Sequence, residues 1–271
     1  MPELPEVETV RRVLNQQIVG LKILDVEIRY SSIIDGDIEL FKNNVVNKSI
    51  SNIDRYGKFL IFNLNEGNII SHLRMEGKYF YVDNMSIDNK HIHVIYHLSN
   101  GYKLCYQDVR KFGRMVYKNN DELFISKPLI DVGIDPILST EIDYDLIYKR
   151  LKNKNIPIKT ALLDQSIICG LGNIYVDEVL FVSQINPLLP ANEITMEMVL
   201  TIVKNSISIM SVAIEKKGTT IRSYTSSLNV TGEYQNFLKV HTKKICPNCN
   251  EKIEKIRIGG RGTYYCKKCQ S

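Results

Sequence analysis

The residues with the most chemical potential stand at the beginning of the chain. Met1-Pro2-Glu3-Leu4-Pro5-Glu6-Val7-Glu8 sets two prolines and three carboxylates ahead of any hydrophobic pattern, where most domains are loose and expendable. Trimming of Met1, usual before a small second residue, would give Pro2 a secondary amine that titrates at about pH 8 like other α-amino groups. Such an amine attacks carbonyl-like carbons to form iminium ions, and Glu3 and Glu6 supply acid/base partners nearby in sequence. The plainer reading is a helix start, since proline suits a first turn and carboxylates complement the helix dipole there.

A second cluster is metal chemistry. Cys246, Cys249, Cys266 and Cys269 form a C-x2-C…C-x2-C set with sixteen residues between the pairs, the spacing of a four-thiolate zinc ribbon. Four protein ligands leave no position for an activated water, so the zinc is expected to be structural. Two disulfides are the alternative, disfavoured where no export signal accompanies the cysteines. Gly259-Gly260-Arg261-Gly262 falls between the pairs, at an expected hairpin tip that can approach a phosphate closely. Cys105 and Cys169 have no partner at ligand spacing and read as buried thiols. A third cluster, Cys169-Gly170-Leu171-Gly172-Asn173-Ile174-Tyr175, opens a helix whose free amides would suit an anionic oxygen. Alone it is equally an ordinary glycine turn between two helices.

The elements that must position these groups follow from periodicity. Leu4, Val7, Val10, Leu14 and Ile18 recur at helical spacing up to a stop at Gly20. Short β-branched runs come next, including Lys22 to Tyr30, Phe59 to Leu64 and Asn68 to Leu73, and the Ser99-Asn100-Gly101 turn predicts a hairpin between His91–Leu98 and Tyr102–Tyr106. From about Glu141 the period turns helical: Ile142 to Leu151, a helix from Pro157, another from Asn173, and a long one from Thr195 to Lys216. The fold class read from this is α+β: an N-terminal β-sandwich with a flanking helix, then a helical domain, then a small metal-stapled hairpin. The expected domains are 1–132, 133–235 and 236–271.

The 271 residues carry a net charge of +5, yet the stretch from Lys239 onward holds nine Lys and Arg against two Glu, a surplus of seven that leaves the rest at −2. A basic module on a near-neutral body favours a polyanion, nucleic acid before anionic lipid. No basic-then-apolar leader and no apolar run long enough for a bilayer is evident, so a cytoplasmic protein with no membrane partner is expected.

The ordered set Pro2-Glu3-Leu4-Pro5-Glu6-Val7-Glu8, Gly57-Lys58-Phe59-Leu60, His72-Leu73-Arg74-Met75-Glu76-Gly77, Asp108-Val109-Arg110-Lys111-Phe112-Gly113, Gly170-Leu171-Gly172-Asn173-Ile174-Tyr175, Gly218-Thr219-Thr220 and Arg261-Gly262-Thr263-Tyr264-Tyr265-Cys266 resembles the bacterial formamidopyrimidine-DNA glycosylases, bifunctional base-excision enzymes for oxidised purines. The resemblance implies a helix–two-turn–helix motif in the helical domain, a zinc finger, and a monomer acting on double-stranded DNA that contains oxidised bases or abasic sites. It implies one structural Zn2+ and no catalytic cofactor. It assigns Pro2 as the nucleophile, Glu3 as the acid on the opening sugar, Glu6 as a supporting carboxylate, Lys58 as proton donor in β-elimination, and Arg261 as donor or phosphate clamp in δ-elimination. By the same resemblance Phe112 wedges the duplex, Met75 fills the space of the flipped nucleotide, and Arg110 bonds the orphaned cytosine. His72, His91, Lys154 and Asn173 fall at phosphate-contact positions, and Glu76, Thr219, Thr220 and Tyr224 at the lesion pocket. Lys217 to Tyr224 matches a mobile loop over oxidised guanine, although Lys217 stands where many relatives have glycine. A sister activity on oxidised pyrimidines, of the endonuclease VIII kind, is disfavoured by Leu4, by the Arg110-x-Phe112 pair and by the loop segment. A non-catalytic zinc-ribbon DNA-binding protein is disfavoured by the intact Pro2-Glu3 and Lys58.

Overall fold

The computed structural model describes residues 2–83, 89–219 and 232–270. They divide into two compact units, the first holding residues 2, 6–83, 89–130, 219 and 232, the second residues 3–5, 131–218 and 233–270.

The first unit begins with α1 (Leu4–Ile18), whose Val7, Val10, Leu14 and Ile18 are at most 1% exposed. Their three- and four-residue spacing makes one stripe, and burial of each aliphatic side chain stabilises by roughly 1.5–3 kcal/mol. Then follow β1 (Ile23–Ile28), α2 (Ile38–Val45), β2 (Ile50–Tyr56), β3 (Phe59–Leu64), β4 (Asn68–His72), β5 (Lys78–Val82), β6 (Ile92–Leu98), β7 (Lys103–Gln107) and β8 (Arg114–Lys118). Two antiparallel four-stranded sheets result, ordered β1-β6-β7-β5 and β2-β3-β4-β8. One cluster draws Val94, Tyr96 and Tyr106 from the first sheet, Leu60, Phe62 and Ile69 from the second, and the α1 stripe. That is the expected sandwich. The predicted hairpin joins β6 to β7, with Gly101 donating its amide to Leu98 O at 3.0 Å. Sequence periodicity did not single out α2, β2, β5 or β8.

The second unit contains α3 (Tyr144–Lys152), α4 (Ile158–Leu162), α5 (Asn173–Val182) and α6 (Met196–Glu215), followed by a hairpin of β9 (Glu254–Ile258) and β10 (Arg261–Tyr265). Asp143 and Thr195 cap α3 and α6 by accepting amides of Leu146 and Met198, which accounts for their clean starts. Against the expectation of no long apolar run, α6 has the length and composition of a membrane span, with a mean hydropathy of 1.4. Its Val199, Ile202, Val203, Met210 and Ala213 are buried in the cluster formed with α3, α4 and α5, and that packing requires the same apolar composition.

Candidate functional site: a buried N-terminus, an aromatic loop and a zinc hairpin

In the first unit Pro2 is buried, unlike an ordinary frayed terminus. Glu6, 5% exposed, accepts from Thr219 twice, from its amide at 2.7 Å and its hydroxyl at 3.1 Å. Glu8 follows on α1 and binds Arg11 and Arg12 at 2.9 and 2.8 Å, and Arg55 at 3.3 Å. Burial pushes the Glu8 carboxyl up, but the hydrogen bonds and charges of the three arginines outweigh it and hold the group below its usual range. Arg55, itself buried, donates to Gly57 O at 2.9 Å. The turn that carries Lys58 is therefore tied to α1 through one guanidinium. Lys58 is 5% exposed and immediately precedes β3.

Cross-strand pairing brings His72 opposite Phe59, with ring centroids 4.6 Å apart. Burial, then the charges of Arg74 and Lys58, push the His72 pKa down to about 3, so the ring is neutral at physiological pH. Its Nδ1 accepts the Arg74 amide at 2.9 Å, which leaves Nε2–H as a donor. A neutral donor suits a phosphate oxygen. Met75 and Glu76 are half-buried in the turn that follows.

The loop after β7 shows how an exposed aromatic is held. Asp108, fully buried, accepts the amides of Arg110, Phe112 and Gly113 at 3.0, 2.9 and 2.8 Å. One carboxylate so organises five residues. Gly113 is required because a Cβ there would lie 1.7 Å from the Tyr106 hydroxyl. Phe112 is 48% exposed and Arg110 lies over its ring at 4.8 Å. His91 joins this loop through its carbonyl, which accepts the Asp108 amide at 2.9 Å. His93, two residues further on, is buried with Nε2 at 2.8 Å from Asp108 O.

In the second unit the start of α5 is already filled. Glu3 accepts the amides of Ile174 and Tyr175 at 3.0 and 3.3 Å, and a Cβ on Gly172 would lie 2.2 Å from its carboxyl carbon. The glycine therefore serves the approach of Glu3, and the anionic oxygen expected at these two amides is that of a carboxylate of the chain itself. Asn173 turns its amide to Gly262 O at 3.0 Å. Lys154 pairs with Asp164 at 2.8 Å. Lys217 has φ +59°, a left-handed conformation that glycine adopts freely and lysine rarely. Thr220 and Tyr224 lie outside the described residues.

The four cysteine sulfurs lie within 4.8 Å of one another, with Cys246–Cys269 at 3.8 Å and Cys249–Cys266 at 3.5 Å. A zinc–thiolate tetrahedron with bonds of about 2.3 Å has sulfur–sulfur edges of roughly 3.8 Å, so the donors fit zinc. Four thiolates on a hairpin with few buried residues make a structural site. Cys105 and Cys169 are both buried, and burial pushes the Cys105 thiol up to about 11.

Sequence reasoning gave no role to Asp108, to the Glu8–Arg55 pair or to the buried Lys159, Asp177 and His241. An Asp two residues before a turn, and Glu8 three and four before Arg11 and Arg12, were legible signals. The partners of Lys159 lie too far along the chain for any local signal.

Three family models match the chain: the formamidopyrimidine-DNA glycosylase N-terminal domain over residues 1–115, the formamidopyrimidine-DNA glycosylase H2TH domain over 132–225, and a zinc finger found in FPG and IleRS over 243–271. The chain is 45% identical to the formamidopyrimidine-DNA glycosylases of Streptococcus pneumoniae and of Mycoplasma mobile, covering 100% of this chain and 99% of each relative. It superposes on a variant Lactococcus lactis FPG complexed with a Fapy-dG containing DNA with a TM-score of 0.92, and on Lactococcus lactis Fpg complexed with an abasic site containing DNA with a TM-score of 0.91. Each is 38% identical, over 99% of both chains.

Proposed function

The chain belongs to the formamidopyrimidine-DNA glycosylase family, and we propose that it excises oxidised purines from duplex DNA through the secondary amine that Pro2 bears once Met1 is removed, then cuts the strand on both sides of the emptied sugar. The observation that carries this reading is a buried N-terminal stretch whose carboxylates are locked by backbone amides, Glu3 by residues 174 and 175 and Glu6 by residue 219. A helix start alone does not call for such fixing. An acid/base set does, because proton transfer depends on placement to within a few tenths of an ångström.

The Pro2 nitrogen lone pair forms a bond to C1′ of the damaged nucleotide as the C1′–N bond to the base breaks, and the base leaves with a proton. The ammonium so formed loses its proton, the C1′–O4′ bond opens, and Glu3 protonates O4′, leaving an iminium. That cation acidifies C2′–H. Loss of this proton expels the 3′ phosphate, with Lys58 as proton donor, and vinylogous loss of the C4′ proton expels the 5′ phosphate with Arg261 as donor or clamp. The iminium is its own electron sink, so the zinc stays structural.

Reaching C1′ requires the nucleotide to leave the stack. Phe112, exposed on an Asp108-anchored loop, serves as wedge; Met75 fills the vacancy and Arg110 bonds the unpaired cytosine. His72, His91, Lys154 and Asn173 contact phosphates, and Glu76, Thr219, Thr220 and Tyr224 line the lesion pocket. The working partition is 1–132 for the nucleophile domain, 133–235 for the helix–two-turn–helix domain and 236–271 for the finger, in a cytoplasmic monomer. Duplexes carrying one defined lesion each test the substrate class. Formamidopyrimidines and 8-oxoguanine opposite cytosine are cut at least about tenfold faster than oxidised pyrimidines; the reverse order would assign the sister activity.

A further inference from the structure

We propose that Lys159 is a positioning residue for Arg261, acting through the hydroxyl of Thr263. The inference rests on the role proposed above for Arg261 and adds what holds it in place.

Lys159 sits on α4 with no exposed surface. Its ammonium lies 2.7 Å from Asp177 Oδ1 and donates to Thr263 Oγ1 at 2.8 Å and to Gly262 O at 3.0 Å. The ammonium therefore makes two hydrogen bonds to the start of β10 and one ion pair to α5. Thr263 is equally buried and passes the contact on, its hydroxyl donating to Arg261 O at 3.2 Å. A continuous chain thus runs from Asp177 through Lys159 and Thr263 to the backbone of Arg261, whose side chain is exposed. The neighbouring carbonyl, that of Gly262, is also held by Asn173. Asp177 meanwhile takes the His241 ring at 2.7 Å and the Tyr264 amide at 3.2 Å. The hairpin tip closes on α4 as well, since a Cβ on Gly259 would lie 2.8 Å from Thr160 Oγ1.

Stability alone does not explain a lysine at this position. Desolvating an ammonium and a carboxylate consumes most of their attraction, and well-packed apolar residues of similar volume are often as stable or more so. What lysine adds over methionine is directed contact: hydrogen bonds to Thr263 and Gly262, with the ammonium held by Asp177, set where the first residues of β10 lie. Misplacing a catalytic cation by about an ångström costs on the order of a hundredfold in the step it serves, so the register of this hairpin is a catalytic quantity.

The test uses the full-length zinc-loaded protein on a duplex with one abasic site and one with 8-oxoguanine. Lys159→Met and Thr263→Val each remove polar groups at nearly constant volume. Zinc stoichiometry and the rate of base release stay within about threefold of the parent, while the yield of δ- relative to β-elimination product falls at least about tenfold. Either variant combined with Arg261→Ala shows no further fall. A purely structural role would lower base release and both eliminations together. Should Lys159→Met fail to fold, as a zinc-free product would reveal, Thr263→Val decides, because its buried site loses only a hydroxyl. Arg261→Ala run alongside separates the two claims: an unchanged product ratio there removes the proposed role of Arg261, whereas a lowered ratio there with a parental ratio in the folded positioning variants overturns the inference alone.

Discussion

Pro2→Gly lowers turnover of an oxidised-purine duplex by at least about a hundredfold and leaves affinity for an abasic-site duplex within about twofold. The substitution keeps an amine at the mature terminus, so the expected loss comes from two differences. A secondary amine gives an iminium that is cationic at every pH, whereas a primary amine gives an imine that needs a proton before it can withdraw electrons from C2′–H. The pyrrolidine ring also ties the nitrogen to its own Cα and side chain in one rigid unit, and glycine releases the nucleophile from that constraint. Binding is expected to persist because the groups assigned to grip DNA, including Phe112 and Arg110 on the Asp108 loop, are built by other elements. Stopped-flow base release beside equilibrium binding reads both quantities. An equal fall in both would refute the division of labour between a chemical terminus and a gripping surface.

Cys249→Ser abolishes zinc retention and weakens DNA binding by more than about a hundredfold, measured by metal analysis and anisotropy on the same preparation. The hairpin of β9 and β10 has a small core of its own, in which Val240, Cys246, Ile253 and Cys266 pack against Phe181 of α5. Structural zinc contributes about 10–16 kcal/mol to the folding of comparable peptides, far more than those few side chains can replace. Serine is a poor zinc ligand at neutral pH. With the tetrahedron incomplete, Arg261 and the basic stretch around it lose their scaffold while the helical cluster of the second unit keeps its own buried residues. Full DNA binding by a zinc-free protein would contradict the structural role of the metal.

Much of this was legible in the sequence, for reasons of range. The α1 stripe, the Ser99-Asn100-Gly101 hairpin and the start of α6 at Thr195 are local signals, and they appear within a residue or two of expectation. Zinc ligation was legible because each cysteine pair is a local motif. The start of α5 shows the limit of such reading. Its glycines predicted free amides, but the group that fills them, Glu3, lies 171 residues from Ile174. Lys159 could not be read at all, since its hydroxyl partner is 104 residues away and an isolated lysine in a helical run reads as a solvated cation. Asp108 stands between these cases: its Asx turn is local, but its burial beneath an exposed Phe112 depends on Tyr106 and the sheet.

The most direct test is to trap the reaction intermediate. Borohydride reduction during turnover of an abasic-site duplex, followed by nuclease and protease digestion and peptide mass spectrometry, should place a deoxyribose-derived adduct on the nitrogen of a peptide that begins at Pro2. Recovery of the adduct on an internal lysine, or full activity from protein that retains Met1, would contradict the account.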